Sequence, residues 1–156
     1  MQLSLQTDYA LRTLMALAAS DDLLSVDWIA TRYNISRNHL SKVAQKLQAD
    51  GYVVSTRGRG GGMRLAKPAD EINVGDVVRQ FENLQAFVGC FDAGAGCKID
   101  GACGLKPALS GALGQFLTHL DQYSIADIAI APWLRALDFY GARDVLGWDD
   151  HTNAVA

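Results

Sequence analysis

The sequence predicts a mainly α-helical protein with one small β-hairpin, built as a winged helix-turn-helix domain followed by a long dimerisation helix. Three observations predict it. Two short amphipathic segments are joined by a tight turn, the glycine-rich run RGRGGG separates two strand-like runs directly after them, and a long apolar stripe follows at helical spacing. The predicted divisions are residues 1–80 for the winged domain, 81–104 for a cysteine-rich loop, 105–130 for the dimerisation helix and 131–156 for a C-terminal tail.

The first helix is predicted to begin at Thr7, a residue type that caps helices, and to run to about Ser20. Asp8 lies in its first turn, where a carboxylate favours the positive end of the helix dipole. The apolar residues of this segment recur at helical spacing: Leu11, Leu14, Met15 and Ala18. We therefore expect one face of this helix to be buried.

The next two helices form the predicted helix-turn-helix. Ser25 caps the first of them, and NIS at 34–36 forms the turn, with Ser36 as the cap of the second. Gly51 after Asp50 ends the second helix, because glycine readily takes the left-handed conformation that a helix exit requires. Their apolar faces are Val26, Ile29, Ala30 and Tyr33 in the first, and Leu40, Val43, Ala44 and Leu47 in the second.

A β-hairpin follows the helix-turn-helix and corresponds to a wing. Its strands are predicted at residues 52–56 and 63–66, with the tip at 57–62. Pro68 ends the hairpin, and Asn73 caps another short helix. The glycine-rich tip is not a nucleotide-binding loop, since it lacks the lysine–serine pair of a P-loop and links two strands.

A long helix is predicted over residues 105–130, with Pro107 acceptable near its start. Its broad apolar stripe comprises Leu109, Leu113, Phe116, Leu117, Leu120 and Tyr123. A long exposed helix with such a stripe predicts a dimer. A short helix is predicted at about 133–140.

The charge of the chain is divided unevenly. The 156 residues carry a net charge of −3, but residues 31–67 hold eight basic side chains and one acid, a net +7 that leaves −10 for the rest. This asymmetry predicts a basic face for nucleic acid on an acidic body. No apolar run is long enough to span a membrane, and Asp8 and Arg12 do not suit a secretory signal. We expect a cytoplasmic protein.

The helix-turn-helix and the wing predict which residues would contact duplex DNA. Arg37, Asn38 and His39, near the start of the second helix, are placed for base edges in the major groove. Contacts to the phosphate backbone are predicted for four further residues of this helix: Ser36, Ser41, Lys42 and Lys46. The wing tip suits a minor groove, through Arg57, Arg59 and the close approach that Gly60 allows.

All three cysteines lie in the stretch CFDAGAGCKIDGACG, with the spacing C-x6-C-x5-C. Disulfide bonding would leave one of the three without a partner. Structural zinc sites usually contain close C-x2-C pairs, which are missing here. Three thiolates on a loop of small residues can bind an iron–sulfur cluster with a fourth ligand from elsewhere. The spacing favours the cluster, and a redox-active thiol loop is the alternative.

The segments TDYALRTLMALA, IATRYNISRNHLSKVAQKL and GYVVSTRGRGGGMRLA, together with the three cysteines, resemble the IscR-type winged-helix regulators. Within that family the sequence is most similar to the NsrR-type repressors that sense nitric oxide. The resemblance covers about residues 1–130 and leaves the tail uncovered. The ordered combination of these segments is more specific than any one of them.

The resemblance implies a homodimer in which each subunit binds one half of a palindromic promoter operator in double-stranded DNA. It implies an iron–sulfur cluster, 4Fe-4S with 2Fe-2S as the alternative, on Cys90, Cys97 and Cys103, with Asp8 of the partner subunit as the fourth ligand. The IscR branch uses a histidine shortly after the third cysteine instead. Residues 104–107 read GLKP here, and this departure favours the NsrR branch.

The expected function is therefore a dimeric transcriptional repressor, and not an enzyme, that loses DNA affinity when nitric oxide attacks its cluster. Alternatives of the same fold are a regulator that senses iron–sulfur status, oxygen or redox state, and a thiol switch without a cluster. The alternative of another class is a small iron–sulfur electron-transfer protein. The basic segment and the wing argue against that alternative, because an electron carrier has no need of them.

Overall fold

The computed structural model describes residues 3–86, 98–99 and 102–129, and it confirms the mainly helical fold with one hairpin. The elements are α1 (Leu5–Ala18), α2 (Val26–Arg32), α3 (Arg37–Ala49), β1 (Val53–Thr56), β2 (Gly62–Leu65), α4 (Val74–Phe81), α5 (Leu105–Leu120) and α6 (Ile125–Ile128), with short 3-10 turns at Ala69–Glu71 and Leu84–Ala86. Cys90, Cys97 and the helix predicted near 133–140 lie outside the described residues.

Helix α1 begins earlier than the sequence predicted. Ser4 is the N-cap, and its hydroxyl accepts from the Thr7 amide at 3.3 Å, so the prediction of Thr7 as the cap is wrong. Thr7 is instead fully buried, and its hydroxyl lies 3.0 Å from that of Ser4. The Ser4 amide donates to Glu82 at 2.6 Å, which attaches the start of α1 to the end of α4. The helix ends at Ala18 rather than Ser20.

The helix-turn-helix is confirmed by α2 and α3. Ser25 caps α2 by accepting from the Trp28 amide at 3.0 Å, and Asn34 takes a positive φ of 52° in the turn. Asparagine tolerates this left-handed conformation better than most residues do. Gly51, with φ of 76°, follows the last turn of α3. All four residues predicted for the inner face of α3 are buried: Leu40, Val43, Ala44 and Leu47.

The wing is an antiparallel pair of strands in which Val53 lies opposite Leu65 and Thr56 opposite Gly62. Strand β1 begins one residue later than predicted, because Tyr52 lies outside the ladder. Strand β2 begins and ends one residue earlier than predicted, so that Ala66 lies outside the ladder. Met63 also exchanges two backbone hydrogen bonds with Leu24, at 2.8 and 3.0 Å. The hairpin is thereby attached to the segment that leads into α2.

Helix α1 lies at the centre of the molecule and packs against α3, α4, α6 and β2. Its buried face includes Ala10, Leu14 and Leu17. The other elements contribute the remaining fully buried side chains of the core: Ile29, Leu40, Leu47, Val53, Ile72, Val77 and Ile125. One hydrophobic core therefore holds the helix-turn-helix, the wing and α4 together.

The prediction of one helix to residue 130 is wrong, since α5 ends at Leu120 and α6 begins at Ile125. Arg79 on α4 binds the Asp121 carboxylate through both terminal nitrogens, at 2.5 and 2.7 Å, and the Asn73 amide donates to the Asp121 carbonyl at 2.7 Å. We call these three residues the Arg79–Asp121 clamp. Glycine at position 75 leaves room for the Asp121 carboxylate, because a Cβ there would collide with it.

The apolar stripe of α5 is largely uncovered. Of its predicted members, those from Leu109 to Leu120 are half-buried, and Tyr123 is exposed. Only α4 makes extensive contact with α5 among the described elements. Within the described residues, no helix combines the length and the apolarity needed to cross a membrane.

Truncation of Leu14 to alanine should lower the free energy of unfolding by about 2–5 kcal/mol, because it leaves a cavity in the centre of the core. Leu5→Ala, on the same helix but 59% exposed, should change it by less than about 0.5 kcal/mol. Urea unfolding at one fixed protein concentration measures both. Equal losses in the two variants would contradict the central position of α1.

The Arg79–Asp121 clamp should depend on pH. Hydrogen bonds from Arg79 lower the pKa of Asp121, so its contribution is present above the ordinary carboxyl pKa of about 3.9 and is lost as the pH falls through the lowered value. Asp121→Asn should therefore speed hydrogen exchange at the Val74 and Ile125 amides at pH 7, since both amides bond across this junction.

The difference between Asp121→Asn and the original protein should shrink as the pH falls through the lowered pKa of Asp121, below which the carboxylate is protonated in both the folded and the unfolded state. The matched control is Asp76→Asn, because Arg79 meets that carboxylate only at 3.4 Å. An exchange difference that persists unchanged at low pH would show that the ion pair does not hold the junction.

Candidate nucleic-acid interface

Helix α3 presents most of the predicted DNA-binding residues on the side away from the core. Ser36, Arg37, Asn38, His39 and Lys42 are exposed. Ser36 occupies the N-cap position, but its side chain caps none of the first amides of α3. Uncapped amides at a helix start are donors of the kind that bind phosphate.

Ser41 and Lys46 are half-buried and lie on opposite flanks of α3. The Lys46 ammonium is 3.0 Å from Asp50 and 4.7 Å from the centre of the Phe81 ring, so it is engaged with the protein's own side chains. Its predicted contact with the DNA backbone would require it to leave Asp50. Lys46 has the least favourable position among the predicted residues.

Arg37 and Asp27 form an ion pair between the starts of α3 and α2, and both side chains are more than 60% exposed. The pair was not predicted, because the two residues belong to different helices. A base contact by Arg37 would have to replace this contact. Asp27 therefore lies where it can restrain the guanidinium of Arg37.

His39 lies on the flank of α3 that faces the start of α1. It lines a shallow cavity of about 280 Å³ together with Leu5, Gln6 and Tyr9 of that helix. Asn38 and Lys42 lie nearer the middle of the exposed face by helical spacing. Of these two, Lys42 also lines the cavity and Asn38 does not. The structure thus places His39 beside the predicted base contacts rather than at their centre.

The wing tip exposes Arg57, Arg59 and Gly60, as the sequence predicted. Gly58 and Gly60 have φ values of 106° and 79°, a conformation that suits glycine and strains other residues. A Cβ on Gly61 would collide with the Thr56 carbonyl, so the tip closes too tightly for a side chain there. The two arginines are therefore carried on a compact turn.

The exposed cations of residues 31–67 all belong to α3, the wing or the segment directly after it: Arg37, Lys42, Arg57, Arg59, Arg64 and Lys67. Arg64 lies on β2, and the Lys67 ammonium lies over the Tyr52 ring at 5.4 Å. The basic segment of the sequence thus becomes a basic surface on α3 and the hairpin. Such a surface attracts the phosphate backbone.

The sequence prediction did not assign the polar residues between α3 and the wing. Gln45 and Gln48 on α3 line a groove with Ser55 and Thr56 on β1. Helical spacing from Ser41 could have identified the two glutamines, since residues 41, 45 and 48 share one face. The strand residues carry no such signal, because their position opposite α3 depends on the packing of the wing.

The predicted cluster ligands are only partly described. Cys103 is a free, half-buried thiol two residues before α5, whereas Cys90 and Cys97 lie outside the described residues. Asp8 is 38% exposed on α1, and its carboxylate accepts from Arg12 at 2.9 Å. No three His, Cys, Asp or Glu side chains within the described ranges are grouped to hold a metal.

Arg12 connects Asp8 to the helix-turn-helix. Its guanidinium lies 5.9 Å from the centre of the Tyr33 ring, at the end of α2. Burial raises the pKa of Tyr33, although Arg12 and Arg32 oppose the shift. The start of α1 is thus in contact, through Arg12, with the first helix of the helix-turn-helix.

Comparison with known proteins places these features in a family. The family model described as "Rrf2: Iron-dependent Transcriptional regulator" matches residues 3–131. Among solved structures, T. potens IscR is similar with a TM-score of 0.67 and 24% identity, covering 95% of each chain. CymR, the global cysteine regulator of B. subtilis, is similar with a TM-score of 0.66 and 23% identity, covering 83% of this chain and 96% of that one.

The oxidized form of Staphylococcus aureus CymR is similar with a TM-score of 0.64 and 24% identity, covering 83% of this chain and 97% of that one. At these identities the solved structures support the fold alone. They agree with the winged helix-turn-helix that α2, α3 and the hairpin form.

Two α3 variants should separate base contacts from phosphate contacts. Asn38→Ala should weaken binding to the selected operator, a duplex that the protein selects from a random library. The loss should be about 1–3 kcal/mol, and binding to random duplex should be nearly unchanged. Lys42→Ala should weaken both and reduce the slope of log affinity against log salt by about one. Fluorescence anisotropy over a salt series measures both quantities, and identical behaviour of the two variants would contradict the assignment.

Proposed function

The chain belongs to the Rrf2 family of transcriptional regulators, and on that premise we propose that it is a homodimeric repressor that leaves its operator in response to nitric oxide. Regulators of this family bind DNA and are typically dimeric, so the expectation of a regulator rather than an enzyme is confirmed. The family does not support the alternative of an electron-transfer protein.

The observation that carries operator binding is the basic surface on α3 and the wing. Arg37 and Lys42 on α3 and Arg57 and Arg59 at the wing tip are all exposed, on a chain whose remainder carries −10. An acidic body turns such a protein so that its basic face approaches DNA. Asn38 then offers the amide that pairs with adenine in a major groove.

The uncovered face of α5 supports the homodimer. Its apolar residues are half-buried in the single chain, and Leu105 at its start is 62% exposed. A second copy of the helix would cover this stripe. Two copies of α3 would then read the two halves of a palindromic operator, as dimeric helix-turn-helix proteins do.

An iron–sulfur cluster is the proposed sensor, and the donor chemistry of the chain fits it. Cys103 is not used in a disulfide, and Asp8 presents an exposed carboxylate on α1. The proposal adds Cys90 and Cys97 and takes Asp8 from the partner subunit, around a 4Fe-4S cluster or, alternatively, a 2Fe-2S cluster. When bound, such a cluster supplies iron to which nitric oxide binds.

The position of Asp8 links the sensor to the DNA-binding surface. Asp8 lies on α1, whose opposite face is buried against α3. Service as a ligand requires the carboxylate to loosen its contact with Arg12, which in turn lies over Tyr33 of the helix-turn-helix. Release of Asp8 from the cluster would therefore change the contacts that hold both α1 and α2. Because α2 belongs to the helix-turn-helix, this local change would alter DNA affinity, as a switch requires.

A second candidate is a regulator that responds to the redox state of its thiols without a cluster. The similarity to CymR, one structure of which is an oxidized form, favours this candidate. The description of the family as iron-dependent supports the cluster, and it also suits a sensor of iron–sulfur status or oxygen. In each case we place the protein in the cytoplasm, where its operator is.

The proposal is tested on protein purified without air. Iron and sulfide counts should show a cluster, the iron-replete protein should prefer its selected operator over random duplex, and nitric oxide should remove that preference while mild peroxide does not. Asp8→Ala should fold as the original protein does but lose its iron faster. Asp22→Ala, which removes an exposed carboxylate outside α1, is the matched control.

An iron-free protein under these conditions would overturn the cluster. Sensitivity to peroxide and not to nitric oxide would favour the thiol switch. Unchanged iron retention in Asp8→Ala would remove Asp8 from the ligand set and leave the rest of the proposal in place.

A further inference from the structure

An open groove of about 290 Å³ runs between α3 and the wing. Ser41, Gln45 and Gln48 of α3 form one wall, and Ser55 and Thr56 of β1 form the other. The remaining lining residues are mainly apolar or small: Ser25, Val26, Ala44, Gly62 and Met63. The groove therefore has polar walls over a largely apolar base.

We propose that this groove seats a phosphodiester of the operator and that neutral hydroxyl and amide donors hold it there. The proposal rests on the proposed function, since it requires α3 to enter the major groove and the wing tip to enter the minor groove. It adds a third kind of contact to base readout by α3 and charge attraction by the basic side chains.

The first step is geometric. Neighbouring major and minor grooves of a duplex are separated by one sugar–phosphate strand. With α3 in one groove and Arg57 and Arg59 in the other, that strand has to cross between α3 and the hairpin. The groove lined by Gln48 and Thr56 lies in this crossing.

The second step is chemical. Ser41, Gln45, Gln48 and Ser55 carry hydroxyl or amide groups, and the ten lining residues include no acid and no base. Ser55 shares the inner face of β1 with the buried Val53, whereas the Thr56 side chain points to the opposite face. None of the four side chains forms a hydrogen bond with another residue in the part of the chain that the structure describes. Phosphate oxygens accept hydrogen bonds from Ser, Thr and Gln in protein–DNA complexes. The lining thus offers donors without a carboxylate to repel the phosphate.

The third step concerns rigidity. Met63 and Leu24 exchange backbone hydrogen bonds at 2.8 and 3.0 Å behind the groove. A Cβ on Gly62 would stand 3.0 Å from the Leu24 backbone, so glycine allows the hairpin to lie close to that segment. The wing wall is therefore fixed relative to the start of α2, and its donors are already in place before DNA arrives.

A seat made of neutral donors has a distinct thermodynamic signature. Basic residues that neutralise phosphates release counterions, so their contribution falls as salt rises. Hydroxyl and amide groups neutralise no charge. Their loss should weaken binding at every salt concentration by the same factor, and equally for all sequences, because a phosphate carries no sequence information.

The test compares Ser55→Ala and Gln48→Ala, singly and together, with Lys42→Ala in the full-length protein. Ser55→Ala removes only the hydroxyl, and Gln48→Ala removes the amide of an exposed helix residue. Each single change should lower affinity for the selected operator and for random duplex by about 2- to 10-fold, the loss of one hydrogen bond, with an unchanged salt slope. Lys42→Ala should reduce the slope.

A methylphosphonate scan of the operator locates the seat. The seat is the phosphate at which replacement weakens the original protein more than it weakens the double variant. It should lie between the base pairs that Asn38 reads and the minor groove that the wing enters. Unchanged affinity of the double variant, or a slope lowered by about one, would overturn the seat while the Asn38 result still supports the proposed function. A protein that prefers no duplex at all would overturn both.

Discussion

The burial of α1 at the centre of the molecule is the constraint on which the rest of the structure depends. An isolated helix of 14 residues is marginally stable in water, so α1 exists because α3, α4, α6 and β2 cover it. Its two buried hydroxyls fit this position, because Thr13 donates to the Tyr9 carbonyl at 2.7 Å and Thr7 pairs with Ser4. The helix-turn-helix and the wing are oriented by packing on the same helix.

Helix α5, whose apolar stripe is largely uncovered, is attached to this core at its C-terminal end. An exposed ion pair such as that of Arg79 with Asp121 contributes little alone. Here it acts beside backbone hydrogen bonds from Val74 to Tyr123 and from Ile125 to Ile72, at 2.9 and 2.8 Å, and beside the fully buried side chain of Ile125. The orientation of α5 is thus tied to the core that carries α3, which is what a dimeric reader of two half-sites needs.

The sequence was sufficient for most features that depend on neighbours along the chain, although the cap of α1 is Ser4 and not Thr7. The caps Ser25 and Asn73 and the exit at Gly51 are local features, and they were predicted correctly. The end of α5 was not, because it depends on Arg79, 42 residues before Asp121. In the candidate site the exposed residues of α3 followed from periodicity, but Asp27, the partner of Arg37, and the Phe81 ring beside Lys46 lie on other helices and could not be read from the sequence.

The division of charge explains why neutral contacts suit this surface. The exposed cations lie on α3, the hairpin and the segment after it, and the remainder of the chain, at −10, repels DNA, so the duplex is drawn to one face. More cations would strengthen an attraction that acts at long range and falls as salt rises. Hydroxyls and amides such as Ser55 and Gln48 bind the backbone only at hydrogen-bond distance and add no charge. A lining of neutral donors between two basic flanks therefore fixes the position of the docked backbone without strengthening the charge attraction that brings the duplex there.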